Sequence, residues 1–296
     1  MATRPVGRFA PSPTGPLHMG SLVTAVASYL DIKKRNGEWY IRIDNLDLPR
    51  EKPTAAVDII TSLTAHGLTG DRPIDYQSEH SARYTACFNS LQDYIYYCTC
   101  TRKALAGLTV YPGHCRHRAE PSEFSAIRLR TPNRDFVHHD QILGHLEYNL
   151  GIDFGDLIIR RKDELWAYNF ATAIDDGFDV THVLRGQDLN HVTPQQTFVM
   201  ELLKAHWPEL SVPEYAHIPL LRYTDGTKLS KQTHAPPLDD ERASENLRDA
   251  FFYLGLNPPQ DRRWPVTQWL GWGQKHWDAK NIPDTLVPYK KTPPTD

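Results

Sequence analysis

The sequence is poor in sulfur, with four cysteines and three methionines among 296 residues. So few cysteines exclude the disulfide framework of a small secreted domain. Three of them, Cys98, Cys100 and Cys115, fall close together in a spacing that suits a metal ion better than a bridge. No run of eighteen apolar residues occurs, and no apolar stretch follows a basic N-terminal segment. Neither a membrane span nor a secretory leader is therefore expected, and a cytoplasmic location is. There is also no basic excess, since 33 Lys and Arg stand against 36 Asp and Glu for a net charge of -3. This excludes a whole-surface nucleic-acid footprint. Any RNA contact must use local clusters such as Arg116, Arg118, Arg128, Arg130, Arg160, Arg161 and Lys162. What is present in quantity is apolar residue, at 40%, enough to core one large or two modest domains.

The most informative stretch runs from Arg8 to Ser21. Val6 to Ala10 can form a strand, Pro11-Ser12-Pro13-Thr14-Gly15-Pro16 must turn, and Gly20-Ser21 opens a helical apolar period through Leu22, Val26 and Leu30. Free N–H groups and the positive end of the helix dipole at that start attract phosphate. The bare Cα of Gly20 lets a flat base such as adenine approach the backbone, and His18 would stand beside the phosphates. A second basic element, Lys228-Leu229-Ser230-Lys231-Gln232, follows the apolar run Ile218 to Leu221 in a Gly-containing loop, where two lysines flanking a serine can neutralise a triphosphate. Alone, the first element reads as an ordinary helix cap and the second as a solvated basic loop.

Together, in this order and separation, the two elements resemble the signatures that bracket the ATP site of the class I aminoacyl-tRNA synthetases. Arg8 to Gly15, Arg42 to Asp47 and Val183 to Leu189 narrow the resemblance to the glutamyl and glutaminyl branch. Full-length glutamyl enzymes carry a large anticodon-binding half, whereas this chain ends soon after the lysine loop. Short and with a central cysteine cluster, it resembles the members of that branch that esterify glutamate to queuosine in the anticodon of tRNA(Asp). The alternatives are a truncated enzyme charging the 3′ end of tRNA(Glu) and a non-catalytic RNA-binding paralogue.

The resemblance implies tRNA-independent activation of glutamate by ATP, with Mg2+ accompanying the nucleotide. The partners it implies are glutamate, ATP and the tRNA(Asp) anticodon loop, with no membrane and no obligatory protein partner. Glutamate has two carboxylates and an ammonium, so its pocket needs guanidinium groups and an acid, and Arg8, Asp44 and Arg185 are of those types. By resemblance, Arg8, Phe9, Ala10, Pro11 and Ser12 line the amino-acid pocket, Asp44 meets the amine, and Tyr168 and Arg185 touch the substrate. Aspartate stands at 44 where the branch often has glutamate, so contact is expected directly or through a water. His18, Gly20, Ser21 and Lys231 are expected at ATP, with His18, Lys228 and Lys231 as catalytic groups stabilising charge at the α-phosphorus. Ser21 replaces the second histidine of the wider signature, a branch difference.

One structural zinc ion per chain is expected at Cys98, Cys100 and Cys115. Spacing alone favours His114 as the fourth ligand, because imidazole is the commoner donor, while resemblance favours Tyr111. Cys87 stands apart and reads as core.

The expected fold class is α/β, a Rossmann-like parallel-sheet catalytic domain with a zinc-binding insertion and a small helical C-terminal segment. Residues 1–75 would form the first half of the catalytic domain, 76–150 the insertion, 151–236 the second half with the lysine loop, and 237–296 the C-terminal segment and tail. In more detail, 4–10, 38–43, 166–174 and 180–184 read as strands, and 20–35, 54–66, 81–97 and 193–203 as helices. Residues 239–256 read as a helical hairpin, and the segment beyond 257, with Trp264, Trp269, Trp272 and Trp277, has no clear pattern.

Overall fold

Alternation in the first two strands shapes the architecture. In β1 (Val6–Phe9) Arg8 lies between Gly7 and Phe9, and in β2 (Glu38–Ile43) Tyr40 and Arg42 alternate with Trp39, Ile41 and Ile43. Successive side chains of a strand point to opposite faces, so one face collects apolar groups and the other collects the charged ones beside a small apolar cluster of Tyr40, Val180, Val183 and Tyr215. The computed structural model, which describes residues 4–229, 235–260 and 262–289, shows this continued in β9 (His182–Gly186) and β10 (Glu214–Ile218). With β3 (Asp75–Tyr76) these strands form a parallel sheet in the order β10-β9-β1-β2-β3. The chain first winds one way from β1 and then the other, so the sheet has a switch point between β1 and β9, the expected place for a ligand in an open parallel sheet.

On the apolar face, α1 (Met19–Lys34) packs with α6 (Ala243–Tyr253) and α7 (Val266–His276). Leu22, Val26, Leu30, Leu247, Phe251, Trp269 and Leu270 close there on Phe9, Trp39, Ile41, Leu184 and Ile218. Asn36, in the left-handed conformation at φ 55°, stops α1 two residues after its last turn. Gly67, at φ 70°, ends α2 (Ala55–Ala65), and a Cβ on it would lie 2.6 Å from a Val266 side-chain carbon. The tryptophan-rich end is thus part of the core. Trp269 and Trp277 are buried, and the Trp277 indole N–H donates to Asp31 Oδ1 at 3.1 Å.

Over the polar face lie α4 (Tyr168–Asp179) and α5 (Thr193–Leu203). Their outer sides pack on an antiparallel sheet of β4 (Ile95–Cys98), β5 (Ala126–Leu129) and β8 (Leu157–Arg160), together with α3 (Ser81–Ser90). A hairpin of β6 (Asp135–Asp140) and β7 (Gly144–Asn149) reaches from this insertion back to β10.

Three expectations need correction. Residues 166–174 are not a strand, because α4 begins at Tyr168; Phe170, Ile174 and Phe178 recur every four residues around small alanines, which is helical spacing. The helix expected over 81–97 stops at Ser90, and the aromatic, β-branched Ile95-Tyr96-Tyr97 forms β4 instead. Residues 239–256 hold a short turn and the single helix α6, and the hairpin partner is α7.

Candidate active site

A cleft opens at the carboxyl ends of β1 and β9, at the switch point. Arg8, Phe9, Ala10, Pro11, Ser12, His18, Gly20, Ser21, Tyr168, Arg185 and Lys228 all line it, so most of the expected site residues come together. Lys231 lies outside the described residues. Asp44 is near but not on this wall; it lines an adjoining recess with Ser12, Pro13 and Thr14.

His18 is the N-cap of α1, and its Nδ1 accepts the Ser21 backbone N–H at 3.2 Å. That bond leaves the proton on Nε2, which sits 3.2 Å from Ser21 Oγ. A Cβ on Gly20 would press on the His18 ring at 3.2 Å and touch the Leu229 carbonyl at 3.5 Å, so a side chain there would crowd His18. Across the cleft, Lys228 Nζ meets Asp188 Oδ2 at 2.5 Å, in the segment after β9. Asp188 was not anticipated, although it stands within the Val183 to Leu189 motif.

The floor is a buried charge chain. Arg8 grips Asp176 with both arms, Nε to Oδ1 and Nη2 to Oδ2 at 2.9 Å each. Arg42 Nη1 adds a 2.8 Å bond to the same Oδ1, and Arg42 Nε donates to Asp44 at 2.8 Å. Burial drives the Asp176 carboxyl up, but Arg8 and Arg42 outweigh it and hold the group at about 2. For Asp44 burial prevails over Arg42, assisted by Asp175 and Asp176, and the group is pushed up to about 6. Asp176 reaches the sheet from α4, just past the stretch 166–174 expected as a strand.

Arg185 is held on two of its three nitrogens. Nε donates to His217 Nε2 at 3.0 Å, and Nη2 donates to Thr193 Oγ1 at 2.8 Å and to the Leu189 carbonyl at 3.3 Å. Nη1 is buried with no partner. Burial lowers His217 to about 4, so it is neutral near pH 7 and can accept. Tyr168, read as a strand residue, is the first residue of α4 and, 39% exposed, forms the cleft rim. Of the expected RNA-contacting arginines, Arg128 is removed from the surface; it is buried under the Tyr111 ring at 3.7 Å and donates to the Asp156 carbonyl.

In the insertion, the thiols of Cys98, Cys100 and Cys115 lie within 4.8 Å of one another, a group that could hold a metal ion. Cys100 and Cys115 are 3.7 Å apart, close to the edge of about 3.8 Å for two thiolates on a tetrahedral ion at 2.3 Å. The Tyr111 hydroxyl is 3.4 Å from Cys98 and 3.7 Å from Cys100, near the thiolate-to-oxygen edge of about 3.5 Å in such a site. His114 does not join the group. Cys87 is buried in the insertion core, as read.

Residues 6–253 match the family model of class I tRNA synthetases (E and Q), catalytic domain. The chain is 42% identical over 288 residues to the Glutamyl-Q tRNA(Asp) synthetase of Pseudomonas aeruginosa, covering 96% of this chain and 97% of that one. With the protein of the same name from Thiobacillus denitrificans it shares 41% over 300 residues, covering 97% and 98%. The fold is similar to the glutamate-tRNA synthetase crystal structure from Elizabethkingia anophelis, with a TM-score of 0.79, 23% identity, and coverage of 97% of this chain and 68% of that one.

Proposed function

The chain belongs to the class I tRNA synthetases for glutamate and glutamine, and from that premise we infer that it acts as its Glutamyl-Q tRNA(Asp) synthetase relatives are named to act. It activates glutamate with ATP and transfers it to queuosine in the anticodon of tRNA(Asp). The observation that carries the site assignment is one cleft where two buried arginines, Arg8 and Arg185, meet a helix start capped by His18 and the Lys228 side chain.

In this reading a glutamate carboxylate attacks the α-phosphorus of ATP, pyrophosphate leaves, and the second substrate's hydroxyl then takes the glutamyl group and releases AMP. The chain supplies no nucleophile. His18 and the start of α1 bind phosphate oxygens, and Lys228 and Lys231 neutralise the charge that builds on them, with Mg2+ arriving on the nucleotide. Arg185, through its unpartnered Nη1, takes a glutamate carboxylate, and the charge chain below supplies a carboxylate field for the ammonium. Zinc suits the three thiols and Tyr111 as a structural ion that ties the insertion together, and no reaction step passes through it.

Acceptor assays and metal analysis test this reading. Incubating the protein with labelled glutamate, ATP and a tRNA(Asp) anticodon stem-loop should label the queuosine-containing loop and not its guanosine counterpart. Trimming the 3′-terminal adenosine of whole tRNA(Asp) should have no effect; loss of acceptance on trimming would place the ester at the acceptor end instead. Elemental analysis should find about one zinc per chain. Tyr111→Phe should weaken its retention against a chelator more than His114→Ala does, and the reverse order would make imidazole the fourth ligand.

A further inference from the structure

The grip on Arg185 does not end at His217. His217 Nδ1 lies 2.6 Å from Asp140 Oδ2, and Asp140 Oδ1 accepts three backbone N–H groups, from Ile142, Leu143 and His217 at 2.9 to 3.1 Å. Asp140 closes strand β6 in the insertion hairpin, His217 sits on β10, and Arg185 on β9. All three are buried. The directions of the bonds are determined. Arg185 Nε can only donate, so His217 Nε2 must present its lone pair, and the imidazole proton must sit on Nδ1, pointed at the carboxylate. The ring of Tyr215 lies parallel to His217 at 6.0 Å and beneath the Arg185 guanidinium at 5.2 Å.

We propose that Asp140 and His217 are positioning residues for the amino-acid step: Asp140 fixes the His217 tautomer, and that tautomer holds Arg185 with Nη1 left for a substrate carboxylate. The inference rests on Arg185 binding glutamate. It gives the insertion a role at the catalytic cleft that is separate from its cysteine cluster, because the hairpin supplies the carboxylate. His138, Asp140 and His217 also have their ligand atoms within 4.8 Å of one another, as metal ligands would. A cation does not suit them. At 2.6 Å the Asp140–His217 contact has hydrogen-bond length, shorter than the edge of about 3.3 Å between two ligands of a tetrahedral zinc, and Arg185 already approaches the other side of the ring.

Asp140→Asn tests the proposal with almost no change of shape. An asparagine can turn its NH2 toward Nδ1, drawing the imidazole proton to Nε2, where it faces the Arg185 N–H donor to donor. In pyrophosphate exchange the KM for glutamate should rise at least tenfold, while the KM for ATP and the thermal midpoint stay near those of the unaltered protein. His217→Leu should do the same. His217→Gln, whose amide oxygen can stand where Nε2 was, should recover most of the loss. A glutamate KM within twofold of the unaltered value in Asp140→Asn would overturn the proposal, as would a parallel rise in both KM values with a lowered midpoint. Long-range 1H–15N spectra of histidine-labelled protein provide a readout that does not depend on the substrate. They should show His217, identified by its loss in His217→Gln, protonated on Nδ1, and on Nε2 once Asp140 is Asn; the Nε2 form in the unaltered protein would refute the relay. If the spectra agree and no exchange with glutamate occurs at all, the glutamate assignment fails and the tautomer relay stands.

Discussion

The two faces of the parallel sheet are built from alternate residues of the same strands, yet they do different work. One face, with Phe9, Trp39, Ile41, Leu184 and Ile218, is sealed by α1, α6 and α7 into an apolar core. The other carries Arg8, Arg42, Asp44, Arg185 and His217, all buried, under α4 and α5. Burial of apolar surface is the dominant favourable term in folding, so the first face supplies stability without specifying chemistry. Buried ion pairs seldom add net stability, because desolvation consumes most of the Coulomb gain. Arginines held at fixed positions in a dry layer are instead ready to meet carboxylates, which links the cost of the second face to its use.

This contrast can be broken most severely at Asp176. Replacing it with Ala strands Arg8 and Arg42 as buried cations, and loss of one partner from such a network costs about 3–5 kcal/mol. Denaturant titration should show that loss together with collapse of glutamate activation, whereas a stable, active variant would mean the charges are incidental. On the apolar face, Leu30→Ala should cost about 2–5 kcal/mol through lost burial and a cavity. Its KM values, measured below the melting transition, should be unchanged, and a raised glutamate KM would show that the two faces are coupled. The mildest expected effect comes from pH. Asp44 titrates at about 6, raised mainly by burial, so above that pH it carries the negative charge that an ammonium requires, and below it the charge is lost. The glutamate KM should therefore climb as pH falls through about 6, approaching tenfold per unit, and Asp44→Asn should flatten that limb. An identical limb in the variant would assign it to another group.

Legibility in the sequence followed the range of the interactions. The strand, turn and helix start from Val6 to Leu30 could be read because turn residues, alternation and the helical period are local signals. The Arg8, His18, Gly20 and Arg185 assembly was legible for the same reason, since each stands at the end of a readable element. Asp176 is not, because its partners Arg8 and Arg42 are 168 and 134 residues away and no local pattern links it to them. The tryptophan-rich end packs partly on itself and on Phe251 of α6, but its other partners lie in α1, 246 residues away in the case of Trp277 and Asp31, which no local pattern shows. His217 carries no local signal at all; only the sheet brings it to Arg185.

The division between the faces is tested most directly by tRNA-free, glutamate-dependent pyrophosphate exchange in Arg185→Ala and Leu30→Ala, each assayed at a temperature where it is folded. Arg185→Ala should lose saturable dependence on glutamate, while Leu30→Ala keeps the glutamate KM of the unaltered protein. Equal shifts of that KM in both variants, or a larger one in Leu30→Ala, would contradict the account.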